Sequence, residues 1–236
     1  MPLCPNLDRL ELQRSRWKVL PSSFVPSSKL KSLQIRSVGD IEYVPEEGIG
    51  NLTSLQHLVI SLCPNLVSLP DQGMGRLISL QRLHISNCPK LASLPEGIGN
   101  LILLQHLEIR YCPKLALLPE GIGNLKSLSN LLILCLPNLA SLPEGLRCLV
   151  SLQDLQIWDC PKLASLPEGM GNLKSLQLLH ISECPNLASL PEGLRCLTSL
   201  KSLAIWICPM LAQRCQKETG EDWSKIAHIP HLSICC

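Results

Sequence analysis

Aromatic residues are nearly missing from this 236-residue chain: they make up 3% of it, with a single phenylalanine, Phe24. An ordinary globular core leans on large rings, so a chain that is 46% hydrophobic without them must fill its interior with aliphatic side chains, here leucine above all. Charge of one sign is lacking too. The formal net charge is +2, which draws the chain as a whole neither to nucleic acid nor to an anionic membrane. Long apolar runs are also absent. The opening stretch, MPLCPNLDRLELQRSRWKV, has no apolar core of a secretory signal, and the longest uncharged run, Ser127 to Pro143, is interrupted by Asn130, Pro137 and Asn138. These absences point to a soluble cytoplasmic protein with no nucleic-acid and no membrane partner.

Cysteine, by contrast, is plentiful. There are 13, an odd number in a chain long enough to build its own core, which fits free thiols in a reducing compartment better than a disulfide framework.

The chain is organised by repetition. The phrase L-x-x-L-x-I starts at Leu7, Leu30, Leu55, Leu80, Leu104, Leu128, Leu152, Leu176 and Leu200. A fixed period in the twenties predicts a solenoid. Within the unit from Leu80 to Leu104, Leu83 and Ile85 alternate with Arg82, His84 and Ser86, the period of two of a half-buried strand. Cys88 precedes Pro89, which stops the strand and turns the cysteine inward as a small apolar plug. Leu91, Leu94, Ile98 and Leu101 continue the core, and Gly97-Ile98-Gly99 reads as a tight, flexible return. One such unit cannot bury its own flanks, so stability is expected to be collective, through stacking and a parallel ladder. The fold class expected is α/β: about nine repeats, a parallel concave sheet, and an irregular or short-helical convex side.

The pattern L-x-x-L-x-I-x-x-C-x-x-L-x-x-L-P, as in LQHLVISLCPNLVSLP (55–70) and LQDLQIWDCPKLASLP (152–167), resembles the leucine-rich repeats of plant intracellular disease-resistance receptors. The closing stretch CPMLAQRCQKETGEDWSKIAHIPHLSI (208–234) is similar to the C-terminal segment of the coiled-coil class of those nucleotide-binding proteins. The resemblance implies a non-enzymatic recognition module. Its partners would be a pathogen effector or a guarded host protein, together with an upstream nucleotide-binding domain that it restrains. A free-standing repeat scaffold is the alternative.

Residues 1–209 are expected to form the repeat domain and 210–236 a C-terminal cap. In that cap Met210 to Lys217 reads as a short helix. Trp223, Ile226, Ile229, Leu232 and Ile234 are expected to face inward, and Lys217, Glu218, Glu221, Asp222 and Lys225 to face water. No matching cap opens the chain, which suggests a neighbour upstream of Met1. Two units depart from pattern: Leu136 takes the plug position and moves Cys135 outward, making it the more reactive thiol, and Trp17 to Ser28 lacks the Gly-x-Gly and should be looser.

Repetition also weakens apparent chemistry. GIGNLKS puts Asn124 and Leu125 between Gly123 and Lys126, unlike a phosphate-binding loop. Glu96, Glu120, Glu144, Glu168 and Glu192 recur once per unit after proline, so they read as turn residues on the rim rather than an acid–base pair. The column holding His57 and His106 also holds Arg82, which repels a cation, so no metal is expected, and no cofactor. Binding falls to the outward strand positions. The candidate partner-binding residues are Arg9, Arg14, Arg36, Arg82, His84, Glu108, Arg110, Tyr111, Trp158, Asp159 and Trp206. The front is basic, with Arg9, Arg14, Lys31, Arg36, Arg82 and Arg110 against Asp8, Glu11 and Glu108. The back carries Lys201 against Asp154, Asp159 and Glu183.

Overall fold

A leucine followed two residues later by an isoleucine, or by Leu12 in the first repeat, sets every strand of the repeats. In the computed structural model, which describes residues 7–14 and 29–235, the Leu83–Ile85 pair is buried while Arg82 stays exposed, and the equivalent leucine and isoleucine are buried in each repeat strand from Ser32–Arg36 to Ser202–Trp206. The strands are β1 (Arg9–Gln13), β2 (Ser32–Arg36), β3 (His57–Ser61), β4 (Arg82–Ser86), β5 (His106–Arg110), β6 (Asn130–Leu134), β7 (Asp154–Trp158), β8 (Leu178–Ser182), β9 (Ser202–Trp206) and β10 (His231–Cys235). They form one sheet in sequential order, all parallel. Equivalent residues of successive repeats pair directly, as in Leu83 with Leu107 with Leu131. The solenoid is as expected, and the looser unit expected over Trp17 to Ser28 lies outside the described residues.

Behind the sheet lies one continuous core of leucine, isoleucine and the cysteine plugs. Cys63, Cys88, Cys112, Cys160, Cys184 and Cys208 are fully buried, and Leu136 fills the same place in its repeat. Each plug thiol also donates to the carbonyl that ends its own strand, from 3.2 Å at Cys208 to 3.6 Å at Cys160. A thiol suits this position because it is apolar in bulk yet carries a weak donor.

The return side is built from five-residue helices. Glu46–Gly50 and Asp71–Gly75 are α-helical, and the five that follow, from Glu96–Asn100 to Glu192–Cys196, are 3₁₀. The glycines here are not present for conformational freedom, since no described glycine has a positive φ. They are present because adjacent turns touch: a Cβ on Gly99 would lie 2.6 Å from the carbonyl oxygen of Gly121. The flexible return read from Gly97-Ile98-Gly99 is a close-packed one.

The recurring acidic residue has a role that depends on stacking. Four of these carboxylates reach across to the next repeat and accept from the first backbone N–H groups of its helix. Asp71 holds Gly97 at 2.8 Å, Glu96 holds Gly121 at 3.0 Å, Glu120 holds Gly145 at 2.8 Å, and Glu168 holds the amide of Glu192 at 3.2 Å. The side-chain cap of these four short helices thus comes from the preceding turn, which satisfies amides that have no partner within the helix.

The C-terminal segment departs most from expectation. Its first helix spans Pro209–Arg214 rather than reaching Lys217, a second covers Trp223–Ile226, and the chain then adds β10 to the sheet alongside β9. Ile226 and Ile229 are buried as expected, but Asp222 and Lys225 are buried with them. Asp222 accepts from the amide of Leu190 at 2.8 Å, from Arg214 at 3.1 Å and from Lys225 at 2.9 Å, while Lys225 donates to the Leu190 carbonyl at 2.7 Å. The reading of these two as solvent-facing is wrong because the loop before Glu192 presents unpaired backbone groups that need partners of both signs.

Candidate protein-binding face

The outward residues of the strands form three columns. The first holds Arg9, Ser32, His57, Arg82 and His106, and continues through Asn130 and Asp154. Arg9, His57, Arg82 and His106 share a trough of about 400 Å³ with His84 and Glu108. Burial first, and then the charges of Arg82 and Arg9, push the His57 imidazole below its ordinary value, and burial followed by Arg82 does the same to His106. Both rings are therefore neutral at pH 7, and the positive charge of this column is that of its arginines.

In the central column, His84 and Glu108 are partners across β4 and β5. His84 Nδ1 lies 2.9 Å from the Glu108 carboxylate, its Nε2 lies 2.9 Å from Ser86 Oγ, and Arg110 approaches the same carboxylate at 3.3 Å. Among the described residues no group of three or more His, Cys, Asp and Glu is arranged to hold a metal.

The last column aligns Trp158, Ser182 and Trp206. Trp158 donates from Nε1 to Glu183 at 2.6 Å and Trp206 to Ser233 Oγ at 2.9 Å. His180, from the central column, fits between them, with ring centroids 6.1 Å and 4.6 Å away and the latter contact edge-on. Burial lowers its pKa, so this aromatic group is uncharged at pH 7. Arg36 ends β2 and lies in this column as well.

Arg14, Tyr111 and Asp159 are not on the sheet face. With Ser37, Leu62, Asn87, Cys135, Glu183 and Ile207, each is the residue just beyond its strand, and all nine adopt a left-handed backbone with φ between 49° and 54°. From Ser37 onward this conformation lets the amide donate to the last carbonyl of the next strand, as Tyr111 does to Leu134 at 3.1 Å. Five of this row, Leu62, Asn87, Tyr111, Cys135 and Asp159, form one wall of an apolar groove of about 680 Å³. The opposite wall is Pro64, Pro89, Pro113 and Pro137, the residues that follow the plugs. Sequence reasoning treated the prolines only as strand stops and passed over Leu62. The signal was present, since each position recurs once per repeat, but only stacking brings the two rows face to face.

Cys135 lies in this groove beside Tyr111 and Asp159. Its pKa is raised, first by burial and then by hydrogen bonding and charge at Asp159, so it is not the activated thiol expected from its outward shift. Cys196 is exposed on the return side. A maleimide reagent is expected to label Cys196 ahead of Cys135, with the six plug thiols reacting only on unfolding; time-resolved peptide mass spectrometry reads the order, and Cys135 reacting first would contradict this assignment.

The family model for the leucine-rich repeat region matches residues 59–236. The chain belongs to the leucine-rich repeat family. No curated protein sequence matches it at a significant level. Among solved structures, the leucine-rich repeat domain of the type III effector XopL is similar with a TM-score of 0.83 and 26% identity, over 97% of this chain and 77% of that one. A leucine-rich repeat protein of Leptospira interrogans matches with a TM-score of 0.55 and 24% identity, over 98% and 67% of the two chains, a likeness of fold alone. A leucine-rich repeat domain of this kind is a scaffold suited to protein–protein interaction. No helix among the described residues is long and apolar enough to cross a membrane.

Proposed function

We propose that this leucine-rich repeat chain is the non-enzymatic recognition module of a plant intracellular immune receptor, working in the cytoplasm. Its concave face binds a pathogen effector or a guarded host protein, and its front repeats restrain an upstream nucleotide-binding switch. The observation that carries this reading is the uneven charge of the strand face and the rim beside it. In the first four repeats Arg9, Arg36 and Arg82 lie on the strands, with Arg14 just beyond β1 and Lys31 just before β2, whereas in the later ones Asp154 lies on β7 and Asp159 and Glu183 just beyond β7 and β8. A basic front suits a standing contact with an acidic neighbour, and the aromatic group of Trp158, His180 and Trp206 leaves large anchors free at the back. The likeness of residues 208–234 to the closing segment of such receptors supports the same reading. Effector binding would shift the switch only through contacts that differ between its two states.

The similarity to a bacterial effector's repeat domain favours a second reading, a free-standing scaffold. Transcript sequence 5′ of Met1 separates them: an in-frame G-x-x-x-x-G-K-[ST] supports the receptor, and an in-frame stop codon supports the scaffold. Given the upstream domain, R9E, R14E and R36E combined are expected to weaken its association with this chain about tenfold in a two-fragment binding assay. Unchanged association would refute the restraint role.

A further inference from the structure

The apolar groove along the rim carries large side chains at positions where the fold uses only the backbone. Leu62 and Tyr111 both adopt the left-handed backbone, which costs a side chain with a Cβ about 1–2 kcal/mol, and both are exposed, at 52% and 51%. Asn87, between them, fills the same position with the residue type that tolerates it. Large apolar groups held in a costly conformation and left in solvent contribute little to the core, so their use lies outside it.

The groove is bounded by Pro64, Pro89, Pro113 and Pro137, which present no N–H, so an occupant on that wall is held by side-chain contact rather than by strand pairing. Five repeats at roughly 4.8 Å give a length of about 19 Å, the span of about six extended residues.

At one end the character changes. Asp159 closes the apolar groove and joins a second hollow lined by Tyr111, Trp158 and Glu183. Neither carboxylate forms an ion pair with a Lys or Arg among the described residues. Arg110, which borders the hollow, is already paired with Glu108. The hydrogen bond from Trp158 to Glu183 fixes the indole by its edge, and the ring is 42% exposed. An aromatic face beside two unpaired carboxylates is the environment that favours a guanidinium or ammonium group.

We propose that this groove binds an extended peptide segment of a partner protein, about six residues long, apolar along the proline row and bearing one arginine or lysine that lies over Trp158 between Asp159 and Glu183. The proposal rests on the protein-recognition reading and names the chemistry of what is recognised. It is tested by selecting random six-residue peptides displayed on phage against the full chain. Wild-type protein is expected to enrich peptides with one Arg or Lys among apolar residues, the basic residue about tenfold over its starting frequency. D159N with E183Q is expected to abolish the charge preference and keep the apolar one, and L62N with Y111N to abolish both. Enrichment of acidic peptides, no enrichment at all, or a basic preference that survives D159N with E183Q would each overturn the proposal. Thermal unfolding of each variant confirms that it is folded. Because Arg9, Arg14 and Arg36 do not line the groove, the two-fragment assay on those residues reports on the receptor reading alone.

Discussion

An Asp222→Ala variant is expected to lose about 3–5 kcal/mol of unfolding free energy, the cost of leaving buried charge unpaired. Asp222 is fully buried, and its carboxylate is the shared acceptor of Arg214, Lys225 and the Leu190 amide. Lys225, also buried, would retain the Leu190 carbonyl and Glu192 but lose its innermost counter-charge. Because each repeat touches only its neighbours, the damage should begin at the C-terminal end. Hydrogen exchange is therefore expected to show amides of β9 and β10 losing protection before those of β4 to β6. Uniform loss along the sheet, or a change under about 1 kcal/mol in urea unfolding, would contradict the assignment of this cluster as the lock on the end of the core.

Acid should reproduce part of the effect. Burial pushes the Asp222 carboxyl up, but hydrogen bonds from Arg214, Leu190 and Lys225 outweigh it and hold the group below its ordinary value. A carboxylate whose pKa is lower in the folded state than in the unfolded one stabilises fully above its unfolded value, about 3.9, and that contribution fades as pH falls through the folded value. The stability difference between wild type and Asp222→Asn should accordingly narrow below about pH 4.

Gly97→Ala is expected to destabilise by about 3 kcal/mol, the upper part of the range for overpacking. A Cβ there would stand 2.1 Å from the backbone oxygen of Asp71, which belongs to the neighbouring turn and cannot swing aside as a side chain would. The matched control is Gly39→Ala, where nothing lies within 4 Å. That change should be neutral or stabilise by up to about 0.5 kcal/mol through a less flexible unfolded chain. Thermal unfolding of the pair distinguishes close approach from backbone freedom as the reason for the repeated glycines, since a freedom argument gives the two the same sign.

Much of this architecture was legible because a period of 24 residues, once found, fixes which leucines meet. Alternation then placed Leu83 and Ile85 inside, and the common column of Trp158 and Trp206 followed from register alone. What was not legible depends on contacts between turns. Glu96 looks like an exposed turn residue in one repeat, and its carboxylate meets the Gly121 amide only after stacking. Asp222 and Lys225 look like an ordinary solvated pair three residues apart, because their backbone partner at Leu190 lies more than thirty residues earlier. Tyr111 was assigned to the sheet because Tyr, unlike Asn, Asp or Gly, carries no local sign of a left-handed backbone.

The handshake between acidic side chain and following turn has an evolutionary corollary. Since Glu96 grips Gly121 as Glu120 grips Gly145, any seam is interchangeable with any other of its kind. Unequal crossing-over that deletes or duplicates one 24-residue block rejoins halves already made to mate. A lineage carrying this chain can lengthen, trim or shuffle its recognition surface in whole steps, and natural selection meets a new arrangement of Trp158-like and Arg82-like positions without first having to repair the scaffold beneath.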